Sequence, residues 1–289
     1  MPQFRRDASS TLATFDELWR LGYDGAFVYD HLWPLGQPTR PALEGWTLLA
    51  ALAARHGAAT NNGDDGFRLG TLVTRAGLRA PSLLAHMAAT VRSIAGAPLI
   101  AGVGAGDAAS RAENLAFGLP YEDAAGRLAD VEAAVLALAR AGTAEVWVGG
   151  LGATTRALAG RVADAWNAWG LTPEELAAGL AEVRQAAERA GRDPAAVRAT
   201  WGGQVLIGAD AAEAGMLLER WAERRGPQDV ARTVAGDAAT VLARLRELSD
   251  AGAVWCIAAL VGGSDEQLAS MRPLLAKAAG FVRRVPAGA

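Results

Sequence analysis

Cysteine and lysine are each used once in 289 residues, as Cys256 and Lys277. A lone cysteine excludes an internal disulfide and fits a reducing compartment. There are only three histidines, and no His, Asp and Glu grouping has ligand spacing, so no metal site is expected. No apolar run is long enough to cross a bilayer, and no basic stretch followed by an apolar run opens the chain. A formal charge of −3 and a pI near 5.7 argue against nucleic acid or an anionic membrane as the main partner. Proline- or serine-rich linkers are also missing, so residues 1–289 are read as one domain of a soluble, cytoplasmic protein. What is present is a composition 51% hydrophobic and 20% charged, ample for a large core. Abundant Ala, Arg and Gly beside so little Lys point to a genome rich in G and C. Helices are therefore read from apolar spacing and not from alanine alone.

The most informative stretch is Phe27-Val28-Tyr29-Asp30-His31-Leu32-Trp33-Pro34: an apolar run that delivers an acid and an imidazole where it ends, with Pro34 opposing a helical continuation. Apolar runs closed by polar or glycine-rich breaks recur along the chain. Strands are read at 25–30, 67–74, 98–104, 145–149, 163–168, 197–207 and 253–259. Helices are read at 11–21, 43–57, 80–94, 121–140, 152–162, 173–190, 210–224, 237–251 and 265–282. Alternation of this kind implies an α/β fold, a (β/α)8 TIM barrel, which closes with about eight strands. The stub Met1-Pro2-Gln3-Phe4 is then either a very short first strand or the remnant of a truncated one. A doubly wound dinucleotide fold is disfavoured, because Gly102-Val103-Gly104-Ala105-Gly106 lacks the third glycine, replaced by Asp107, and does not follow the first strand. The polar loop 60–66 is expected away from the catalytic face.

Barrels of this class present their chemistry at the C-terminal strand ends. His31 can move a proton near neutral pH with Asp30 beside it, or it can simply cap a strand. His56 and His86 fall within helices and read as structural. The backbone amides of 102–106 and of Gly149-Gly150-Leu151-Gly152 suit a phosphate; the plainer reading is tight strand-to-helix turns. Asp107 is a proton acceptor or an acid favoured at a helix N-terminus. Most tryptophans belong to the core, while Trp33 and Trp166, at strand ends, are placed to wall a planar ligand.

Taken in order, several segments resemble the bacterial luciferase-like superfamily, and within it the oxidoreductases that use the deazaflavin coenzyme F-420. They are Gly22-Tyr23-Asp24-Gly25 through Pro34, Glu44-Gly45-Trp46-Thr47 through Ala53, Leu69 through Pro81, Gly102 to Asp107, Ala116-Phe117-Gly118-Leu119-Pro120, Trp147 to Gly150, and Asp164-Ala165-Trp166-Asn167. The resemblance implies a flavin or deazaflavin at the barrel mouth. A bulge, often with a non-proline cis peptide, would support it at Thr71-Leu72-Val73, with Gly104, Ala105, Gly149 and Gly150 on its phosphate and tail. Asp30 is counted with these cofactor contacts. It further implies that His31 takes a hydroxyl proton while hydride passes to the ring, with Asp107 standing where relatives have glutamate. A homodimer is the implied assembly, through apolar helices around Leu48-Leu49 and Leu83-Leu84, and a reductase is a further candidate partner that would supply reduced cofactor. The departures are Leu35 where relatives carry tryptophan, the shorter Asp107, a short region between Pro120 and Val146, and the nearly missing first strand. They argue against sugar-phosphate oxidation. Three readings remain: an F-420-dependent hydride-transfer enzyme acting on a small organic substrate, a two-component monooxygenase using reduced FMN, and a cofactor-free barrel with a binding or structural role.

Overall fold

In a computed structural model of the chain, the described residues are 2–4, 7–34, 37–57, 66–262 and 264–278. Leu35 and all but Gly66 of the polar loop lie outside them.

Eight strands are all parallel: β1 (Gly25–Val28), β2 (Arg68–Arg75), β3 (Leu99–Gly104), β4 (Ala144–Gly149), β5 (Ala165–Trp169), β6 (Arg198–Ile207), β7 (Val234–Gly236) and β8 (Ala253–Leu260). The helices are α1 (Ala8–Arg20), α2 (Gly45–His56), α3 (Pro81–Ala95), α4 (Ser110–Ala116), α5 (Ala124–Ala141), α6 (Ala153–Val162), α7 (Pro173–Arg189), α8 (Ala211–Ala222), α9 (Pro227–Ala231), α10 (Ala238–Asp250) and α11 (Asp265–Ala278). Local chemistry sets their ends. Asp7 and Glu44 accept backbone N–H groups at the starts of α1 and α2, and Thr172 with Glu175 forms a capping box on α7. Gly96 and Gly142 stop α3 and α5 in the left-handed conformation.

The strands curl in the order β1 to β6, and β6 is flanked further by β7 and β8. Two-residue periodicity divides their side chains. One parity meets inside the curl, where Leu72, Ile100, Trp147 and Ala165 pack with Phe27, Trp169, Trp255 and Ile257. The other parity, including Val28, Leu99, Val146 and Trp201, packs under the helices. This is the TIM-barrel type of fold, incompletely closed among the described residues. Here β1 pairs only with β2 and β8 only with β6, leaving a cleft of about 870 Å³ between them.

The sheet's first strand is short, as expected, at four residues. Two expectations are corrected. The N-terminal stub is not itself a strand: Pro2–Phe4 is a single 3-10 turn. The eighth strand is instead Val234–Gly236, whose three residues are too few to show a period. Leu48, Leu49 and Leu84 are core residues; on this side the exposed apolar groups are Leu83 and Ile94 of α3.

Candidate functional site

The parallel register brings Thr71 level with Val28, Gly104 level with Arg75, and Asn167 level with Gly149. His31, Asp107 and Gly149-Gly150 therefore gather at one end of the sheet, the C-terminal end.

The centre of this end is a buried ionic network. His31 Nδ1 lies 3.0 Å from Glu113 Oε2, with Glu113 completely buried on the short helix α4. The other carboxylate oxygen, Oε1, accepts from Arg75 Nη2 at 2.9 Å and from the Leu32 amide. Arg75, the last residue of β2, also donates to Asn114 Oδ1 at 2.7 Å and to the Asp30 carbonyl at 2.9 Å. Arg79 bridges Asp30 and Glu44, at 2.5 Å to each. Burial alone would raise the Glu113 pKa. The His31 and Leu32 hydrogen bonds and the Arg75 charge outweigh it, holding the carboxyl below its ordinary range. An ionised carboxylate only accepts, so Nδ1 of His31 carries a proton and Nε2 is the nitrogen left for chemistry. The His31 side chain is 17% exposed, enough for a ligand to reach it.

Beside this network the floor of the mouth is nearly bare backbone. In β2 the Leu72–Val73 peptide is cis and the pairing with β3 shifts register between Thr71 and Thr74. The Val73 side chain lies over its neighbours: a Cβ on Gly104 would stand 2.5 Å from Val73 Cγ2, and one on Gly149 would stand 2.8 Å from Val73 Cγ1. These glycines are needed to seat Val73, a packing reason that sequence alone does not reveal. Gly202 makes way for Trp169 in the same manner, at 2.8 Å. Helix α6 begins at Gly152 with no side-chain cap, so its first amides face outward beside the exposed Leu151 and Gly152.

The remaining candidates divide. Thr71 is buried and donates to the Gly102 carbonyl, and Leu72 faces the inner cluster. Ala105 is half-buried just past β3. The Asp30 carboxylate, 1% exposed, is engaged by Thr74, Arg75 and Arg79, so it braces the site from below and does not face a ligand. Asp107 is exposed and accepts from the Ser110 amide and hydroxyl at 3.0 Å; it lies in the turn before α4, and Glu113, not Asp107, holds His31. The acid that partners the imidazole is Glu113, which sequence reasoning missed. Its one signal was the need of Arg75, inside an apolar strand, for a buried counter-charge. Trp33 stays at the mouth, its ring 5.7 Å from that of Phe117. Trp166 is a correction: it has the outward parity of β5, is fully buried against Gly179 of α7, and donates to the Gly150 carbonyl at 2.7 Å. Trp169, of the inward parity, takes the position expected of it.

The β1–β8 cleft, about 870 Å³, touches this end only through residues such as Gln3 and Tyr29. The cleft is lined by Asp24, Glu145 and several arginines but by no histidine among the described residues, so the strand ends are the better candidate. Among the described residues no cluster of three or more His, Cys, Asp or Glu is placed to hold a metal ion, and no helix is long and apolar enough to cross a membrane.

A luciferase-like monooxygenase family model matches residues 6–270. A phthiodiolone/phenolphthiodiolone dimycocerosates ketoreductase from Mycobacterium sp. (strain JLS) is 29% identical over 62% of this chain and 50% of its own length. The Mycobacterium kansasii protein of the same name is 30% identical over 53% of this chain and 47% of its own. The chain thus spans about half the length of the curated relatives it matches. Among solved structures, an F-420-dependent secondary alcohol dehydrogenase in complex with an F-420-acetone adduct superposes with a TM-score of 0.77 at 16% identity, covering 97% of this chain and 96% of that one. The coenzyme F-420 dependent tetrahydromethanopterin reductase from Methanopyrus kandleri gives 0.68 at 18% identity, covering 94% of each. At these identities the structures speak for the fold.

Proposed function

Because the chain belongs to the luciferase-like monooxygenase family, we propose that it is an oxidoreductase passing a hydride between the deazaflavin coenzyme F-420 and a small carbonyl or alcohol substrate at the barrel mouth. The observation that carries this reading is the His31–Glu113 pair, a proton-transfer group held beside a floor of apolar side chains and bare backbone. The ketoreductase among the relatives and the secondary alcohol dehydrogenase among the structures support the substrate class.

The residues fit such a coenzyme in three respects. Val73 and Trp169 offer an apolar seat for a flat ring, the uncapped start of α6 at Gly152 offers amides to a phosphate, and His31 stands at the rim. When bound, the coenzyme supplies the hydride chemistry. In the reducing direction a protonated His31 Nε2 would donate to the carbonyl oxygen; in the oxidising direction Nε2 would take the hydroxyl proton. Glu113 stabilises the imidazolium and fixes its ring, and Arg75 keeps Glu113 ionised. Trp33, packed against Phe117 with ring centres 5.7 Å apart, is placed to wall the substrate side of the mouth.

Titration of the purified protein with oxidised F-420 and with FMN, followed by absorbance and fluorescence, tests the proposal. F-420 alone should bind. Binding of FMN alone would move the assignment to a two-component monooxygenase, and binding of neither to a cofactor-free barrel.

A further inference from the structure

We propose that the Tyr29 phenol is a second hydrogen-bond donor to the substrate's oxygen, and that the donor pair it makes with His31 fits the mouth to ketones and secondary alcohols in preference to imines and alkenes. The proposal rests on the hydride-transfer reading of the same mouth and names its substrate class.

The placement of the side chain comes first. Phe27 packs inside the curl and Val28 under the helices, so alternation directs Tyr29 inward. Its ring meets that of Trp169, carried by β5 on another wall of the curl, edge-on with centres 6.3 Å apart. The Phe4 ring stacks on Tyr29 at 6.1 Å and meets the His31 ring edge-on at 6.5 Å. Tyr29 and His31 therefore leave the chain on one side and share an aromatic neighbour. Residues two apart on an extended chain stand about 6.6 Å from each other, so two long side chains can lean onto a single ligand atom. The Tyr29 backbone is fixed as well: the Gln3 side-chain amide donates to its carbonyl and accepts from its amide, both at 2.6 Å.

The hydroxyl carries the argument further. Of the three tyrosines, Tyr23 donates to the Arg272 carbonyl at 2.9 Å and Tyr121 to the Asp107 carbonyl at 2.8 Å. The Tyr29 hydroxyl has no such partner among the described residues, where its hydrogen bonds are the two backbone ones to Gln3. A half-buried phenol with no internal acceptor, beside His31, is placed for an acceptor that arrives with a ligand. Burial pushes its pKa up, so it stays a donor across the neutral range.

The chemistry then selects the acceptor. A carbonyl oxygen has two lone pairs, one for a proton from His31 and one for the Tyr29 hydroxyl. As the carbon–oxygen π pair moves onto that oxygen, negative charge gathers there and the phenol hydrogen bond strengthens. The phenol keeps its own proton, so no further acid or base is needed. An imine nitrogen, once protonated, has no lone pair left for a second donor, and an alkene carbon offers none. Tyr29 would then lose its water without gaining a partner, which is how a polar site rejects a substrate lacking the matching atom.

Tyr29→Phe tests this, since it removes the hydroxyl and keeps the ring against Phe4 and Trp169. The infrared carbonyl stretch of isotope-labelled cyclohexanone is recorded on the wild type and on Tyr29→Phe, each with and without F-420. Bound to the wild type, the ketone should absorb at lower frequency than when bound to Tyr29→Phe. Equal frequencies, or no bound signal on the wild type under either condition, overturn the inference. Failure of F-420 to bind sinks the hydride-transfer reading instead, and the stretch on the coenzyme-free protein still decides the part given to Tyr29. In cyclohexanone reduction with reduced F-420, kcat of Tyr29→Phe should fall roughly 10²–10³-fold with coenzyme affinity unchanged. An unchanged kcat overturns the inference.

Discussion

Which nitrogen of one imidazole carries the proton decides the chemistry at the smallest scale. Glu113 settles it for His31, and the hydrogen bonds from His31 and Leu32 together with the Arg75 charge hold Glu113 ionised. Replacing His31 with Ala should lower turnover by roughly 10²–10⁴ while leaving coenzyme affinity within a few-fold, measured by steady-state kinetics beside equilibrium titration; a loss confined to affinity would remove the role given to it. Glu113→Ala leaves a buried guanidinium unpaired and should cost about 3–5 kcal/mol in urea unfolding. The pH dependence follows from the depressed Glu113 pKa. Stability from this carboxylate is present above the ordinary glutamate range and is lost as pH falls through the lower folded value. Urea midpoints should therefore decline on acidification, and the decline should be shallower in Glu113→Gln. His31 was legible in the sequence because an imidazole after an apolar run is rare. Glu113 was not, because 82 residues separate it from His31 and nothing local marks it.

Among the elements, β2 and β5 show how pleating turns a pattern into a site. The shifted register in β2 aims Val73 at the two glycines that leave it room, and a β-branched side chain has little rotamer freedom with which to retreat. Gly104→Ala should cost about 1–3 kcal/mol by overpacking, and Val73→Ala in the same chain should recover most of it, a coupling that a double-mutant cycle in thermal unfolding reads directly. In β5 an odd offset, three positions, separates Trp166, sealed under α7, from Trp169 on the inner face. Trp166→Ala should lose about 3–5 kcal/mol of stability, while Trp166→Phe leaves ligand affinity unchanged. Apolar runs and caps made most helices and long strands readable to within a few residues. The three residues of β7 and the short α4 and α9 carried too little periodicity to be read.

For the molecule as a whole, the curled sheet sets the site at one end and, among the described residues, leaves one side open. On the outer surface Leu83 and Ile94 are 51% and 45% exposed and fall on one face of α3, three turns apart. The expected outcome is a homodimer in sedimentation that Leu83→Glu shifts toward monomer with the strand-end chemistry intact. The alternation of strands and helices announced this architecture, since parallel strands need a helical crossover between each pair. It did not announce which edges stay unpaired, because pairing is a property of strands distant in sequence.

From its residues alone the chain determines that strands and helices alternate, where most of them begin and end, and that a histidine leaves the first strand at its C-terminal end. Those are consequences of local sterics, capping and periodicity, which act within a few residues. Only the tertiary structure decides that Glu113 and not Asp107 meets that histidine, that Trp169 and not Trp166 faces inward, and that a cleft parts β1 from β8. Each of these depends on register and packing between segments tens to hundreds of residues apart, where a shift of one position reverses which side of the sheet a residue faces.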